Sequence, residues 1–215
     1  MSSIERNELL VFGYIRKLEK KLNIMIPKPI TELISLYEQI SDWFDTEYTK
    51  PTDIKVHDDK NMITVLKKNV FVTVYGTRIV KPGESHVWKL HIKKQANRPQ
   101  DCMWDPYIGI IKNDKDILIS NLNELKRFST PIGYIWTGGK GELANNNNTS
   151  HYGETWNKTG NILQLKLDQT DKLNGTISYI INGKDYGVAY TNVIPNDYRL
   201  AISFYFSINM QIELL

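Results

Sequence analysis

The feature that most restricts the fold of this chain is a succession of short segments between residues 62 and 214 that are rich in β-branched and aromatic residues. Turn residues separate these segments, and few of them carry a helical pattern of apolar residues. Many short strands with few helices indicate an antiparallel β-sandwich or barrel. The predicted strands are Met62–Leu66, Val70–Tyr75, His86–Ile92, Tyr107–Ile111, Ile132–Thr137, Ile162–Leu167, Thr176–Ile181, Tyr186–Tyr190, Leu200–Phe206 and Asn209–Leu214.

One hairpin is predicted by its turn residues. The segment Thr176–Ile181 is followed by Asn182 and Gly183, and a second strand-like segment continues from Lys184 to Tyr190. Asn and Gly adopt positive φ angles at low cost, and a type I′ turn needs such angles at both central residues. We therefore expect these segments to pair as a β-hairpin.

The first 48 residues follow a different pattern, with apolar residues at helical spacing in two stretches. Pro29 fits the first turn of the second stretch, where its missing N–H costs nothing. The pattern predicts a helical hairpin, with helices over residues 5–21 and 29–46. The expected organisation is a helical segment at residues 1–48, a linker at 49–61 and a β-sandwich at 62–215.

The composition of the 215 residues is typical of a soluble globular protein, with 41% apolar and 24% charged residues. Lys and Arg number 27 against 24 Asp and Glu, and basic residues are not clustered, so no nucleic-acid partner is expected. No apolar run approaches the roughly 20 residues of a membrane helix, and Met1–Glu8 lacks the layout of a signal peptide. These features predict an intracellular, cytoplasmic protein that does not bind membranes.

The sequence contains no pattern that we would assign to a reaction. The segment Gly138–Gly141 lacks the spacing of a phosphate-binding loop. His86 and His91 are five residues apart in one predicted strand, so their side chains face opposite sides of the sheet. Asp168 and Asp171 flank a predicted turn, and the single cysteine, Cys102, excludes an internal disulfide. We therefore expect no catalytic residues, no metal site and no cofactor.

The strand region resembles the SPRY domain family, and the resemblance extends over residues 60–215. Its motifs follow the order and spacing of that family. They are Gly83–Ile92 (Gly-x-x-Tyr-Trp-Glu-Val-x-Ile in the family), Tyr107–Ile111 (Ile-Gly-Val), Tyr152–Trp156 with Gly160–Leu163 (Tyr-Gly … Gly-Asp-Val-Ile), Leu167-Asp168, Gly175–Tyr190 and Tyr198–Phe204.

This resemblance implies a concanavalin-like jelly-roll sandwich that binds other proteins through loops at one end. Trp88, Tyr179, Ile181 and Phe204 would then fill the core. The sequence departs from the family at Asn161, where Asp is usual, and it lacks a clear PRY segment. It therefore looks like a plain SPRY domain rather than one with the partner surface of the tripartite-motif type.

Large side chains near loops are the candidates for partner binding, because a few aromatic or Arg anchors usually supply most of the binding energy. Tyr205 matches by position an aromatic residue that contributes to peptide binding in the SOCS-box group of SPRY domains. Its neighbours Phe204 and Phe206 would point to the opposite face of the strand. The candidate residues are Arg78, Arg98, Trp104, Tyr107, Phe128, Trp136 and Tyr205.

Three functions remain open at this point. The first is a non-catalytic adaptor or scaffold that binds a peptide or loop of another protein. The second is a carbohydrate-binding or glycan-processing sandwich, which would need an aromatic platform or two facing carboxylates. The third is a ubiquitin-ligase substrate receptor, because Leu22–Ile34 resembles the opening helix of an F-box.

Overall fold

Alternating apolar residues and frequent turns produce thirteen β-strands in the part of the chain that the structure describes. The structure is a computed structural model, and it describes residues 42–49, 51–67, 71–97, 105–118, 133–137, 139–145, 148–205 and 207–215. The strands are β1 (Ile54–Val56), β2 (Met62–Val65), β3 (Val72–Val80), β4 (Ser85–Lys94), β5 (Tyr107–Lys112), β6 (Gly133–Thr137), β7 (Glu142–Asn145), β8 (Asn148–His151), β9 (Ile162–Asp168), β10 (Gly175–Ile181), β11 (Lys184–Val193), β12 (Tyr198–Phe204) and β13 (Gln211–Leu214).

Over these residues the strands form two antiparallel sheets. The first sheet has the order β1-β2-β13-β4-β9-β10-β11, and the second has the order β3-β12-β5-β6-β7-β8. Each of the ten strands predicted from the sequence corresponds to an observed strand. The prediction of a mainly β, antiparallel protein is therefore confirmed. Of the predicted helical hairpin, only residues 42–46 fall within the described residues.

The main core lies between the two sheets. Trp88, Tyr179 and Phe204 have no exposed surface, and 6% of Ile181 is exposed, which confirms their prediction as core residues. Strands β9 and β10 alternate strictly between buried and partly exposed residues, as strands with one solvent-facing side do. The first sheet thus covers the core with one face and presents the other to water.

The second sheet is buried on both faces at its centre. Every residue of β12 is buried, and a second apolar cluster covers the outer face of β3, β12 and β5. This outer core, as we call it, consists of Tyr75, Tyr107, Ile111, Leu118 and Ala201, with Tyr48, Phe71 and Ile117 packed against it. Residues 42–49 and the helical turn at 115–118 contribute to this cover.

Residues 42–49 bind along the edge of β3 instead of extending a helix. Phe44 is buried and forms a β-bridge with Gly76, and its N–H donates to the carbonyl of Lys60 at 2.8 Å. Residues 42–46 were predicted to be helical from the apolar stripe that ends at Phe44. The prediction is wrong there because Phe44 packs into the core of the sandwich.

The segment 49–61 differs from the predicted linker, because it contains β1. Ile54 is fully buried, and β1 pairs with β2 through Ile54 and Val65. Strands β7 and β8 were also missed, since their sequences are short and polar and the hairpin closes through the asparagine-rich stretch at Asn145 and Asn148. In all three strands, pairing with a neighbouring strand outweighs weak local propensity.

The predicted turn between β10 and β11 is confirmed. Asn182 and Gly183 have φ angles of 49° and 84°, as a type I′ turn requires. The Asn182 side chain also accepts a hydrogen bond from the N–H of Ile162 at 2.8 Å and donates one to Asn161 at 3.0 Å. Asn161, which replaces the Asp usual in the SPRY family, therefore helps to fix this turn against β9.

Burial of Tyr179 predicts a loss of stability at alkaline pH. Burial raises the pKa of the Tyr179 hydroxyl well above its usual value of 10.0. The unfolded chain ionises this group near pH 10, so the stabilisation is complete below that pH and is lost as the pH rises further. Each pH unit above 10 then lowers the free energy of unfolding by up to about 1.4 kcal/mol for this tyrosine. Between pH 8 and 11, the free energy of unfolding measured in urea should depend less on pH in Tyr179→Phe than in wild type. An equal pH dependence of the two proteins would contradict the prediction.

A second prediction concerns the ion pair that anchors residues 42–49. Arg199 Nη1 donates to Asp45 Oδ2 at 2.8 Å, and only 8% and 13% of the two side chains are exposed. Asp45→Ala leaves a buried cation without its carboxylate, which typically costs about 3–5 kcal/mol. The double variant Asp45→Ala/Arg199→Met should recover most of this loss in urea unfolding. A single variant that loses less than about 1 kcal/mol would show that the pair contributes little.

Candidate functional site

The antiparallel strand order sends the connections alternately to two ends of the sandwich. One end, which we call the Asp105 end, is where β2, β4, β6, β8, β10 and β12 end; connections 152–161, 182–183 and 205–210 begin there. The opposite end, which we call the Gln169 end, is where β1, β3, β5, β7, β9 and β11 end; connections 57–61, 81–84, 169–174 and 194–197 begin there. The predicted partner-binding residues can be placed against these two ends.

The structure brings Tyr107 and Tyr205 together at the Asp105 end, since Tyr107 pairs with Ser203, two residues before Tyr205. Trp136 lies near the same end of the neighbouring strand β6, opposite Ile108. Arg78 lies six residues along β3 from Val72, about 20 Å from this end at the usual rise per residue. It makes an ion pair with Glu84 at 3.7 Å. Three predicted residues lie outside the described residues: Arg98, Trp104 and Phe128.

Three aromatic rings form a row from the outer core to the surface. The Phe71 ring lies 4.5 Å from that of Tyr205 and 6.4 Å from that of Tyr107, measured between centroids. Tyr107 is only 9% exposed, whereas Phe71 and Tyr205 are partly exposed. This aromatic row therefore presents two rings to solvent, on top of a third that belongs to the outer core.

A buried carboxylate lies beside the row. Asp105 is 1% exposed, its Oδ1 accepts a hydrogen bond from the N–H of Tyr205 at 2.8 Å, and its Oδ2 accepts one from the Ser207 hydroxyl. The carbonyl of Asp105 accepts a bond from the Asn157 side chain at 3.1 Å. Asp105 thus links its own segment of the chain to two connections at this end, 152–161 and 205–210.

The bond from Tyr205 to Asp105 also explains where β12 ends. The predicted strand ran to Phe206, but the observed strand ends at Phe204. The N–H of Tyr205 donates to a side chain instead of to a neighbouring strand. Tyr205 therefore keeps the outward side of the strand pattern while its backbone turns into the connection.

A tyrosine cluster occupies the far edge of the same end. The Tyr152 ring lies 6.0 Å from that of Tyr179 and 6.1 Å from that of Tyr186, and the Tyr152 hydroxyl donates to the carbonyl of Gly187 at 2.6 Å. Burial raises the pKa of Tyr152 above its usual value. Nearby, a hydrogen bond from Lys184 lowers the pKa of Glu154. That pair is well exposed, so it contributes little stability.

Asp168, Asp171 and His86, which were singled out in the sequence, are bonded to other groups of the protein. Hydrogen bonds from Thr170 lower the pKa of Asp168, and Asp171 accepts a bond from the N–H of Leu173 at 2.8 Å. His86 Nε2 lies 2.8 Å from Asp42 Oδ2. Within the described ranges, His, Cys, Asp and Glu side chains form no group of three or more that could hold a metal ion. The same ranges contain no helix with the length and apolar character needed to cross a membrane.

Sequence reasoning missed Phe71 and Asp105. Phe71 lies inside the predicted strand Val70–Tyr75 and was therefore not considered as a contact residue, whereas the observed strand begins one residue later, at Val72. Asp105 gives no local signal, because its side-chain partners lie about 100 residues away in the chain. The position of Tyr205 was found through the family resemblance.

Comparisons with known proteins identify the fold. No family model matches the sequence, and no curated protein matches it. The described residues nevertheless have the fold of a SPRY-like domain, which confirms the resemblance noted in the sequence. The crystal structure of a human SPRY domain is similar with a TM-score of 0.59 and 14% identity, covering 80% of this chain and 95% of that chain.

Two further solved structures support the same fold. The TRIM65 PSpry domain has a TM-score of 0.55 and 10% identity over 81% of this chain and 91% of its own. The NHR1 domain of neuralized from Drosophila melanogaster has a TM-score of 0.54 and 16% identity over 81% of this chain and 97% of its own. At such identities the similarity concerns the fold and not the partner.

Gly141 generates a prediction about the connection that supports the tyrosine cluster. Its φ angle is +63°, and a Cβ there would lie 2.7 Å from the carbonyl oxygen of Glu154. Gly160 has a φ of +89° and open space around the same position. Both Gly→Ala variants incur about 1–2 kcal/mol of backbone strain, but Gly141→Ala must also displace the main chain. Chemical unfolding should show the larger loss for Gly141→Ala, and equal losses would contradict the prediction.

Proposed function

We propose that this chain is a non-catalytic protein-interaction module that binds a peptide or loop of another protein at the Asp105 end. The observation that carries the proposal is the aromatic row, in which Phe71 and Tyr205 are partly exposed at one end of a SPRY-type sandwich. Tyr205 is also the position that the resemblance to the SPRY family implies for peptide binding.

The physical basis is the cost of ordering a binding surface. An aromatic side chain supplies a large contact area and few rotatable bonds, and Tyr adds a polar hydroxyl. Tyr205 is already held, because its ring packs on Phe71 and its N–H is bonded to Asp105. A partner that covers the two rings would therefore gain apolar burial while ordering little of the chain.

The other predicted residues take different places in this proposal. Tyr107 is too buried to be a main contact, so we assign it to support of Phe71 from below. Arg78 is paired toward the Gln169 end, and we leave it out of the contact surface. The partner-binding roles of four residues remain predictions from the sequence: Arg98, Trp104, Phe128 and Trp136.

The carbohydrate alternative has less support. A glycosidase needs two carboxylates that flank a substrate, whereas Asp114, Asp168 and Asp171 accept hydrogen bonds within their own turns. The helical hairpin and its F-box-like role remain predictions for residues 1–41, as does the cytoplasmic location.

The test is a peptide selection followed by affinity measurements. Peptides from a random displayed library are selected on the wild-type protein, and the affinity of a selected peptide is measured by isothermal titration calorimetry. We expect Tyr205→Ala to weaken binding at least tenfold, because a buried aromatic anchor is commonly worth about 2 kcal/mol or more.

The matched control is Leu173→Ala at the Gln169 end. Leu173 is 79% exposed, so its truncation removes an apolar side chain without disturbing the core. This control should bind the peptide within about twofold of wild type, since surface changes usually cost under 0.5 kcal/mol. Thermal melts confirm that both variants are folded. Equal affinities of Tyr205→Ala and wild type, or a loss confined to Leu173→Ala, would refute the proposed site.

A further inference from the structure

Asp105 is a buried acidic residue beside the aromatic row, and it does not reach the surface. It is 1% exposed, and Ser207, which donates to it, is also 1% exposed. A carboxylate removed from water is costly unless hydrogen bonds replace its hydration. The bonds from the Tyr205 N–H and the Ser207 hydroxyl have this role. Both donors must stay in place for the carboxylate to be accommodated.

The main chain of Asp105 extends the same constraint to another connection. Its carbonyl accepts a bond from the side chain of Asn157 at 3.1 Å. Asn157 belongs to connection 152–161, Tyr205 and Ser207 belong to connection 205–210, and Asp105 itself precedes β5. Three segments that are distant in sequence are therefore fixed to one another through a single residue.

We infer that Asp105 is the positioning residue of the proposed recognition surface, holding Tyr205 and connection 152–161 in one arrangement without contacting the partner. This inference rests on the proposed function for its binding consequence, and on the hydrogen bonds above for its structural consequence. Asp105 acts through the Tyr205 backbone, so its removal should release the ring that the partner covers.

The Gln169 end provides a matched comparison. Gln169 has no exposed surface, its side-chain N–H donates to the carbonyl of Val80 at 3.2 Å, and its side-chain oxygen accepts a bond from the N–H of Asn196 at 2.9 Å. Gln169→Ala and Asp105→Ala therefore each remove a buried polar side chain with bonds to a neighbouring connection. Of these two variants, only Asp105→Ala changes a residue beside the aromatic row.

Amide hydrogen exchange tests the structural consequence. In Asp105→Ala, the amide of Tyr205 should exchange at least about tenfold faster than in wild type, because the substitution removes the carboxylate that accepts its hydrogen bond. Protection of connection 152–161 and of residues 194–197 should stay close to wild type, because the Asp105 carbonyl that accepts from Asn157 is retained in the variant. Gln169→Ala should instead lose protection at residues 194–197 and keep it at Tyr205. If Asp105→Ala and Gln169→Ala change protection equally at both ends, the inference is wrong.

Affinity for the library-selected peptide tests the binding consequence. When both variants are folded to the same extent, Asp105→Ala should bind the peptide about tenfold or more weakly than Gln169→Ala. If Asp105 only stabilised the fold, the two variants would bind the peptide equally well. Asp105→Asn should restore binding to within about threefold, because its amide oxygen can accept from Tyr205 and its N–H can donate to the Ser207 hydroxyl. Equal binding by Asp105→Ala and Gln169→Ala would overturn the inference.

The two hypotheses fail in different ways. If the selection yields no peptide, the proposed function fails, while exchange at the Tyr205 amide still decides whether Asp105 positions Tyr205. If a peptide binds through Tyr205 but Asp105→Ala binds it normally, the proposed function stands and the positioning role is rejected.

Discussion

The burial of β12 on both faces is the constraint on which the rest of the structure depends. Tyr198, Leu200, Ile202 and Phe204 face the main core, while Ala201 belongs to the outer core. The central strands of the second sheet consequently have no free face on which a partner could bind. The recognition surface that we propose lies instead in the connections at the Asp105 end, which must be held in place outside the strand pairing of the sheets.

Buried polar side chains solve this problem at both ends of the sandwich. Backbone groups in connections cannot all pair with strands, and leaving them buried and unbonded would cost about 1–3 kcal/mol each. Asp105 accepts a backbone N–H at one end, and Gln169 donates to one carbonyl and accepts one N–H at the other. Each side chain thus converts loop segments into parts of a fixed surface.

How far the sequence predicts this structure depends on whether the relevant signal is local. Alternation in Ile162–Asp168 and the Asn182-Gly183 turn are local, and both were predicted. Strand β1 and the hairpin of β7 and β8 were not, since their short segments become strands only by pairing with neighbours. The network of Asp105 joins residues about 100 positions apart. No pattern within the chain could bring them together before the fold was known.

Tyr205 continues the face of β12 that packs against the outer core, so the candidate site adjoins the outer core and not the main core. Ala201 faces the outer core, and Tyr205, four residues later, continues the same side onto Phe71. Tyr107 packs beneath Phe71 from the neighbouring strand. The residues that fill the space between the sheets, such as Trp88 and Tyr179, do not belong to this row. The rings of the candidate site are therefore supported by the outer core, and the second sheet separates them from the main core.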